Sequence, residues 1–183
     1  MKSSSENEIV EKLRDPKTRR EAFTQVVEEY SEKLYWLIRK MVLSHDDAND
    51  ILQNTFLKAW LNLDNFRGDA KLFTWIYKIA INENITFLNR QRAMNNISLD
   101  EADVFMLERL KGDEYFDGDA LQLRFEEAIL HLPEKQRIVF LMKYNDEMKY
   151  EDMSEILGTS VGALKASYHH AVKKIEAFLT EDV

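Results

Sequence analysis

With no cysteine in the sequence, a Cys nucleophile and thiolate metal ligands are excluded, and a metal site would have to be built from four histidines and 33 carboxylates. His45, His131, His169 and His170 include no pair four residues apart, and neighbours on a helix such as His169 and His170 cannot both face one ion. The carboxylates show no spacing that fixes a pair beside a base or an oxyanion donor. The sequence therefore predicts no enzyme, no metal site and no cofactor. A different chemistry is written between residues 160 and 174. Gly162, Lys165, Ala166, His169 and Lys173 recur at three- and four-residue spacing and share one helix face, with His170 and Lys174 at its edge. Small residues near the start of such a helix permit close approach, and Lys and His reach phosphates or base edges. The unpaired amides behind an N-cap such as Ser160 also favour phosphate. The face suits a DNA major groove, and it equally suits an ordinary solvated helix surface. The surrounding elements must decide between the two.

Apolar spacing gives those elements. Of 183 residues 45% are hydrophobic, enough for one medium core or two small ones, while 5 Gly and 2 Pro are too few to punctuate a strand-and-turn fold. Abundant Leu, Glu, Lys, Ala and Ile favour helix, so the predicted class is all-α. From Phe23, the positions Val26, Val27, Tyr30, Leu34, Leu37, Ile38 and Met41 predict a long helix ending near Leu43. Ser44, with Asp47 three residues on, is the predicted cap of a second helix. That helix would bury Ala48, Ile51, Leu52, Thr55, Phe56, Ala59 and Trp60 and end near Leu63. The run Asp64 to Ala70 gathers turn residues and precedes a third helix from about Lys71 to Arg92. Its inner stripe reads Leu72, Ile76, Ile79, Ala80, Glu83 and Phe87. Trp75, Tyr77, Lys78, Asn82, Asn89, Arg90 and Arg92 lie elsewhere on its circumference, and its far end is basic.

Between Ala93 and Ala120 eight acids face only Arg109 and Lys111, which reads as an acidic linker; Ser98 and Glu101 could cap a short helix through Leu110, or the stretch is simply a tether. Beyond it, Leu121 to Leu132 predicts a helix, and Pro133 suits the first turn of the next, which runs through Tyr144. A short helix carrying Tyr150, Met153, Ile156 and Leu157 stops at Gly158. After Ser160, the positions Val161, Leu164, Tyr168, Ala171, Ile175 and Phe178 continue at helical spacing, completing a helix-turn-helix. The organisation read from this is a first domain over 1–95, a linker over 96–120 and a second domain over 121–183. The amino terminus has no apolar run that could act as a signal or membrane segment, so a cytoplasmic location without membrane insertion is expected. Net charge is -8, which speaks against nucleic acid only if whole-chain charge mattered more than its distribution.

Two pairs of segments carry a family resemblance. DANDILQNTFLKAW (Asp47 to Trp60) followed by FRGDAKLFTWIYKIAINENI (Phe66 to Ile85) resembles region two of bacterial sigma factors. LPEKQRIVFLMKY (Leu132 to Tyr144) followed by YEDMSEILGTSVGALKASYHHAVKKI (Tyr150 to Ile175) resembles region four. The order of the two motifs, with no large domain between them, resembles the extracytoplasmic-function group. The resemblance spans roughly Phe23 to Phe178 and implies two small helical domains, a region-two bundle of three to four helices and a four-helix region-four domain, joined by a flexible acidic linker.

The same resemblance implies roles for individual residues. Asp50, Gln53 and Asn54 would meet the clamp helices of core RNA polymerase, Asn54 standing where the family usually has Glu. The loop Phe66, Arg67, Gly68, Asp69 and Lys71 would hold the minus-ten element of promoter DNA, whose bases must leave the stack to be gripped singly. Behind it, Trp75 and Tyr77 would stack or wedge, Lys78, Arg90 and Arg92 would follow the backbone, and Asn82 would hydrogen-bond a base or phosphate; a Trp in an apolar helix is also ordinary core. Thr86 stands where the family commonly has Asp. Ser160, Gly162, Lys165, Ala166, His169, His170, Lys173 and Lys174 would read the minus-thirty-five element, with Ser167 and His170 at positions where many members have Arg. An acidic linker could occupy a basic RNA path in polymerase or only keep the tether extended. The family also implies a restraining anti-sigma factor and a chain that is monomeric when free. The rival is a stand-alone regulator using only the second domain; it requires a dimer on a palindrome and leaves the aromatic, basic third helix without a purpose.

Overall fold

The computed structural model describes residues 2–95, 108–109, 111–112 and 120–181. They divide into two compact units, Met1–Leu88 and Asn89–Val183. Among the described residues every regular element is helical, as composition and spacing predict. The Ser98–Glu101 capping box and most of the acidic stretch 96–120 lie outside the described residues.

The first unit opens with a helix that apolar spacing did not signal, α1 (Lys2–Arg14). Its apolar stripe is only Ile9, Val10 and Leu13, of which Leu13 is buried. The predicted long helix, α2 (Arg19–Val42), begins four residues earlier than expected because its buried stripe continues back to Ala22, a side chain too small to register as a hydrophobic anchor. It ends at Leu43 in the left-handed region, φ 54°. Ser44 then caps α3 (His45–Leu61) as expected, its Oγ accepting from the Asp47 N–H at 3.2 Å. A single 3₁₀ turn, Leu63–Asn65, leads through the loop into α4 (Leu72–Asn95). Val26, Leu34, Ile38 and Met41 of α2, with Ala48, Ile51 and Phe56 of α3, supply much of the core.

The inner stripe of α4 differs from the expectation. Leu72, Ile76, Tyr77, Ala80, Ile81 and Leu88 are buried, whereas Ile79, Glu83 and Phe87 are only partly covered. Leu72, Ile76 and Ala80 are buried as expected, and the buried side extends from them to Tyr77, Ile81 and Leu88 instead of to Ile79 and Phe87, so it is rotated about the helix axis. Tyr77, expected on the outside as a stacking ring, is wholly buried against Phe73, ring centroids 5.4 Å apart.

The second unit contains α5 (Ala120–Leu130), α6 (Glu134–Tyr144), α7 (Tyr150–Leu157) and α8 (Val161–Thr180). Pro133 sits one residue before α6, and the buried Arg137 donates to the Leu130 carbonyl at 3.2 Å, tying α6 to the end of α5. Gly158 ends α7 at φ 63°, where a side chain would be strained, and returns its N–H to the Ser154 carbonyl at 2.9 Å. Leu164, Ala171 and Ile175 of α8 pack with Met142, Met153 and Ile156 as core. The helix-turn-helix read from the sequence is therefore present as α7, the Gly158 turn and α8.

Candidate nucleic-acid interfaces

The outward face of α8 assembles as the spacing predicts. Ser160 Oγ accepts from the Ala163 N–H at 3.3 Å, fixing the first turn. Burying Leu164, Ala171 and Ile175 turns Gly162, Lys165, Ala166, His169, His170, Lys173 and Lys174 outward, and all of them, with Ser160, are exposed. A Cβ added at Gly162 would touch nothing within 4 Å, so the fold does not require glycine there, although glycine in a helix costs about 1 kcal/mol relative to alanine. Lys165 rests over the Tyr150 ring with Nζ 5.7 Å from its centroid, and Lys143 approaches the same ring at 4.9 Å while donating to the Met148 carbonyl. Burial, followed by the neighbouring Tyr168, raises the Tyr150 phenol above its ordinary range, so it stays neutral between the two lysines.

In the first unit, Arg67, Gly68, Asp69 and Lys71 of the loop are exposed. Phe66 is not: it is buried with its ring 5.1 Å from Trp75, so it anchors the loop instead of offering a stacking surface. Trp75 is half-buried by this contact, and Lys78 and Asn82 are exposed further along the same side of α4. Lys71, Trp75, Lys78, Asn82 and Thr86 follow one another at four- and three-residue steps and form a single stripe. Arg90 is exposed on the end of α4 that belongs to the second unit. Arg92 is ion-paired with Glu134 inside the second unit, so its charge is already engaged.

On α3, Asp50, Gln53 and Asn54 are exposed on one face. Leu57 and Leu61, exposed at 55% and 68%, prolong that face by two turns and turn a polar patch into a mixed apolar and polar one. Sequence reasoning passed over both. The available signal was that they fall outside the buried stripe Ala48, Ile51, Thr55, Phe56 and Ala59, where a leucine has no packing role in the unit itself.

Side chains from the start of the chain also reach the loop. Glu6 Oε1 accepts the Leu72 N–H at 2.8 Å, Arg14 Nη2 donates to the Arg67 carbonyl at 3.0 Å, and Arg19 pairs with Asp64 at 2.8 Å. Among the described residues no group of three or more His, Asp or Glu could hold a metal, and no helix is long and apolar enough to cross a membrane.

Comparison with known proteins gives two family matches, Sigma-70 region 2 over residues 26–94 and Sigma-70, region 4 over residues 122–175. The chain is 31% identical to the ECF RNA polymerase sigma factor SigW of Bacillus subtilis, over 81% of this chain and 84% of that one. It is 29% identical to the ECF RNA polymerase sigma-E factor of Escherichia coli, over 85% of each. Among solved structures it is similar to the sigma factor RpoE in complex with the anti-sigma factor NepR from Bartonella quintana, with TM-score 0.66, 22% identity, and 88% and 98% of the two chains covered. It is likewise similar to CnrH in complex with the cytosolic domain of CnrY, with TM-score 0.69, 20% identity, and 97% and 99% covered.

Proposed function

The chain belongs to the extracytoplasmic-function group of sigma-70 family RNA polymerase sigma factors, non-enzymatic transcription initiation factors, and from that premise we propose how its surfaces divide the work. Residues 1–95 dock on core polymerase through Asp50, Gln53 and Asn54, extended by Leu57 and Leu61, and take the minus-ten element on the loop Arg67–Lys71 and the stripe Trp75, Lys78 and Asn82, with Arg90 on the backbone. Residues 121–183 read the minus-thirty-five element with the outward face of α8, from Ser160 to Lys174. Residues 96–120 are the connecting segment.

The observation that carries this reading is that small and cationic side chains are exposed together on α8 while the apolar residues of the same helix close the core. A helix so divided can enter a major groove without unfolding anything. The mixed apolar and polar face of α3 has the composition of a docking surface, since exposed leucines gain by being covered and the polar residues beside them fix register. The factor works in the cytoplasm, where polymerase is, and is monomeric until it binds. One structural neighbour is in complex with the anti-sigma factor NepR and the other with the cytosolic domain of CnrY, which supports restraint of this chain by an antagonist of that kind.

Transcription in vitro from a genomic library, with core polymerase alone and with this protein added, tests the reading. New transcripts sharing two upstream elements are expected only with the protein. Absence of both new transcripts and measurable affinity for core polymerase contradicts it.

A further inference from the structure

We infer that α1 is a built-in brace for the minus-ten loop, with Glu6 and Arg14 as positioning residues that act through the backbone; this rests on the reading that the loop and α4 take the minus-ten strand. The loop is secured at its ends by its own chain, Phe66 N–H to the Leu63 carbonyl and Trp75 N–H to the Lys71 carbonyl, each 3.0 Å. Between those points, α1 and the turn behind it supply holds on the loop. Arg14 Nη2 donates to the Arg67 carbonyl at 3.0 Å and also lies only 3.2 Å from where a Cβ on Gly68 would stand, so the guanidinium backs the one loop residue in the left-handed region, φ 82°. Glu6 caps α4 from 66 residues away, accepting the N–H of its first residue, Leu72, at 2.8 Å. A carboxylate there satisfies an amide the helix cannot pair itself and complements the positive end of its dipole.

The brace is itself fixed. Thr18 Oγ1 donates to the Lys12 carbonyl and Arg19 Nε to the Leu13 carbonyl, both at 2.8 Å, so the turn joining α1 to α2 is closed by side chains, and the same Arg19 reaches Asp64. These contacts are directed at main-chain groups on the inner side of the loop, and Arg67 and Asp69 keep their side chains exposed on the outer side. Holding the backbone from behind leaves the outer side chains available and removes loop disorder that strand capture would otherwise have to overcome.

The test uses the full chain bound to core polymerase, with promoter fragments recovered by the library experiment. Wild type, Glu6→Ala, Glu6→Gln, Arg14→Ala and Arg14→Lys are compared for affinity to the single-stranded non-template minus-ten oligonucleotide, to a duplex carrying only the minus-thirty-five element, and to core polymerase. Circular dichroism at the assay temperature establishes the folded fraction of each. Each alanine variant is expected to weaken capture of the single strand by about tenfold, the effect of losing a charge-assisted hydrogen bond. Gln and Lys, which keep an acceptor and a donor at the same places, retain most of it, and duplex and core affinities stay within about twofold. Single-strand capture equal to wild type in both alanine variants overturns the inference. So does a loss shared equally by all three ligands, which would make α1 mere scaffold, and so does tighter capture, which would make it a cover. Failure of the wild-type protein itself to bind core polymerase or the recovered promoters is a failure of the functional reading, not of the brace.

Discussion

Replacing Lys165, Lys173 and Lys174 together by alanine should remove most of the salt dependence with which α8 binds duplex DNA, and the size of that change is set by how few cations the helix exposes. All three lysines are exposed on α8, and the neighbouring Ser167 is neutral. Each phosphate neutralised contributes roughly -0.9 to the slope of log affinity against log salt, so three lysines carry about -2.7 and lose about fortyfold in affinity between 50 and 200 mM salt. Two further arginines, at the positions of Ser167 and His170, would bring the slope to about -4.5 and the loss to about 500-fold. Fluorescence anisotropy of the full chain on a labelled minus-thirty-five duplex at four salt concentrations measures this directly. Subtracting the triple variant's slope from that of wild type isolates α8 from every other cation in the chain. The expected difference is about 2.7, with Lys165→Ala alone accounting for about 0.9. Exposed lysines contribute little to folding, so the variant should melt close to wild type. A difference under about 1 would mean that this face does not lie on phosphates, while a Ser167→Arg, His170→Arg variant with an unsteepened slope would show that those positions point away from DNA.

Other surfaces make separate predictions. Tyr150→Ala should lower duplex affinity by about two- to fivefold while leaving the salt slope unchanged, because it removes the ring over which Lys165 is held but not the charge. Leu57→Asp with Leu61→Asp should reduce affinity for core polymerase by at least about a hundredfold in a fluorescence titration, because covering two leucines is worth about 1.5–3 kcal/mol each; unchanged affinity would remove them from the docking face. Ser160→Ala should lower stability by about 1 kcal/mol and Tm by a few degrees in thermal melts, as loss of the bond from the Ala163 N–H uncaps α8. Burial, with smaller contributions from Glu29 and then Glu6, pushes the Tyr30 phenol up to about 12. The unfolded chain then releases that proton near pH 10 while the folded chain keeps it, so stability from this group is full below pH 10 and falls as pH rises to 12; absorbance titration of wild type against Tyr30→Phe should show one late-titrating tyrosine.

Long amphipathic helices and their caps were legible because one signal repeats over many turns: the stripe from Val26 to Met41, the Ser44 cap and the stop at Gly158 all stand in the structure where spacing put them. The α8 face was legible for the same reason, since naming the buried side of a helix also names its exposed side. Three features were not. The α1 helix has too few apolar residues to show a period, and beside the buried Leu13 it is held by polar contacts of Arg14 and Glu6 with partners 53 and 66 residues away, which no local pattern encodes. Tyr77 was misplaced because α4 offers two apolar lines, through Ile79 and through Tyr77, and only packing chooses between them. Phe66 looked like a loop aromatic available to DNA because its neighbour across the turn, Trp75, lies nine residues on and on a different element.

The net negative charge opposes DNA binding only as a whole-chain sum, because the acids are concentrated in one segment. Residues 96–120 hold eight acids and two bases, so -6 of the net -8 belongs to that short segment and the other 158 residues carry only -2 between them. Within the remainder the signs are again sorted. The span from residue 162 to 174 of α8 holds Lys165, Lys173 and Lys174 and no acidic residue. A DNA helix senses charge over about one Debye length, roughly 8 Å at physiological salt, so it responds to the face it touches and not to the sum over the molecule. An acidic segment elsewhere in the chain can therefore coexist with a cationic face on α8. Neutralising the acids of residues 96–120 should accordingly leave binding to random and to promoter duplex within about twofold of wild type near physiological salt, measured by fluorescence anisotropy. A large gain for either duplex would show that the charge of the segment reaches bound DNA.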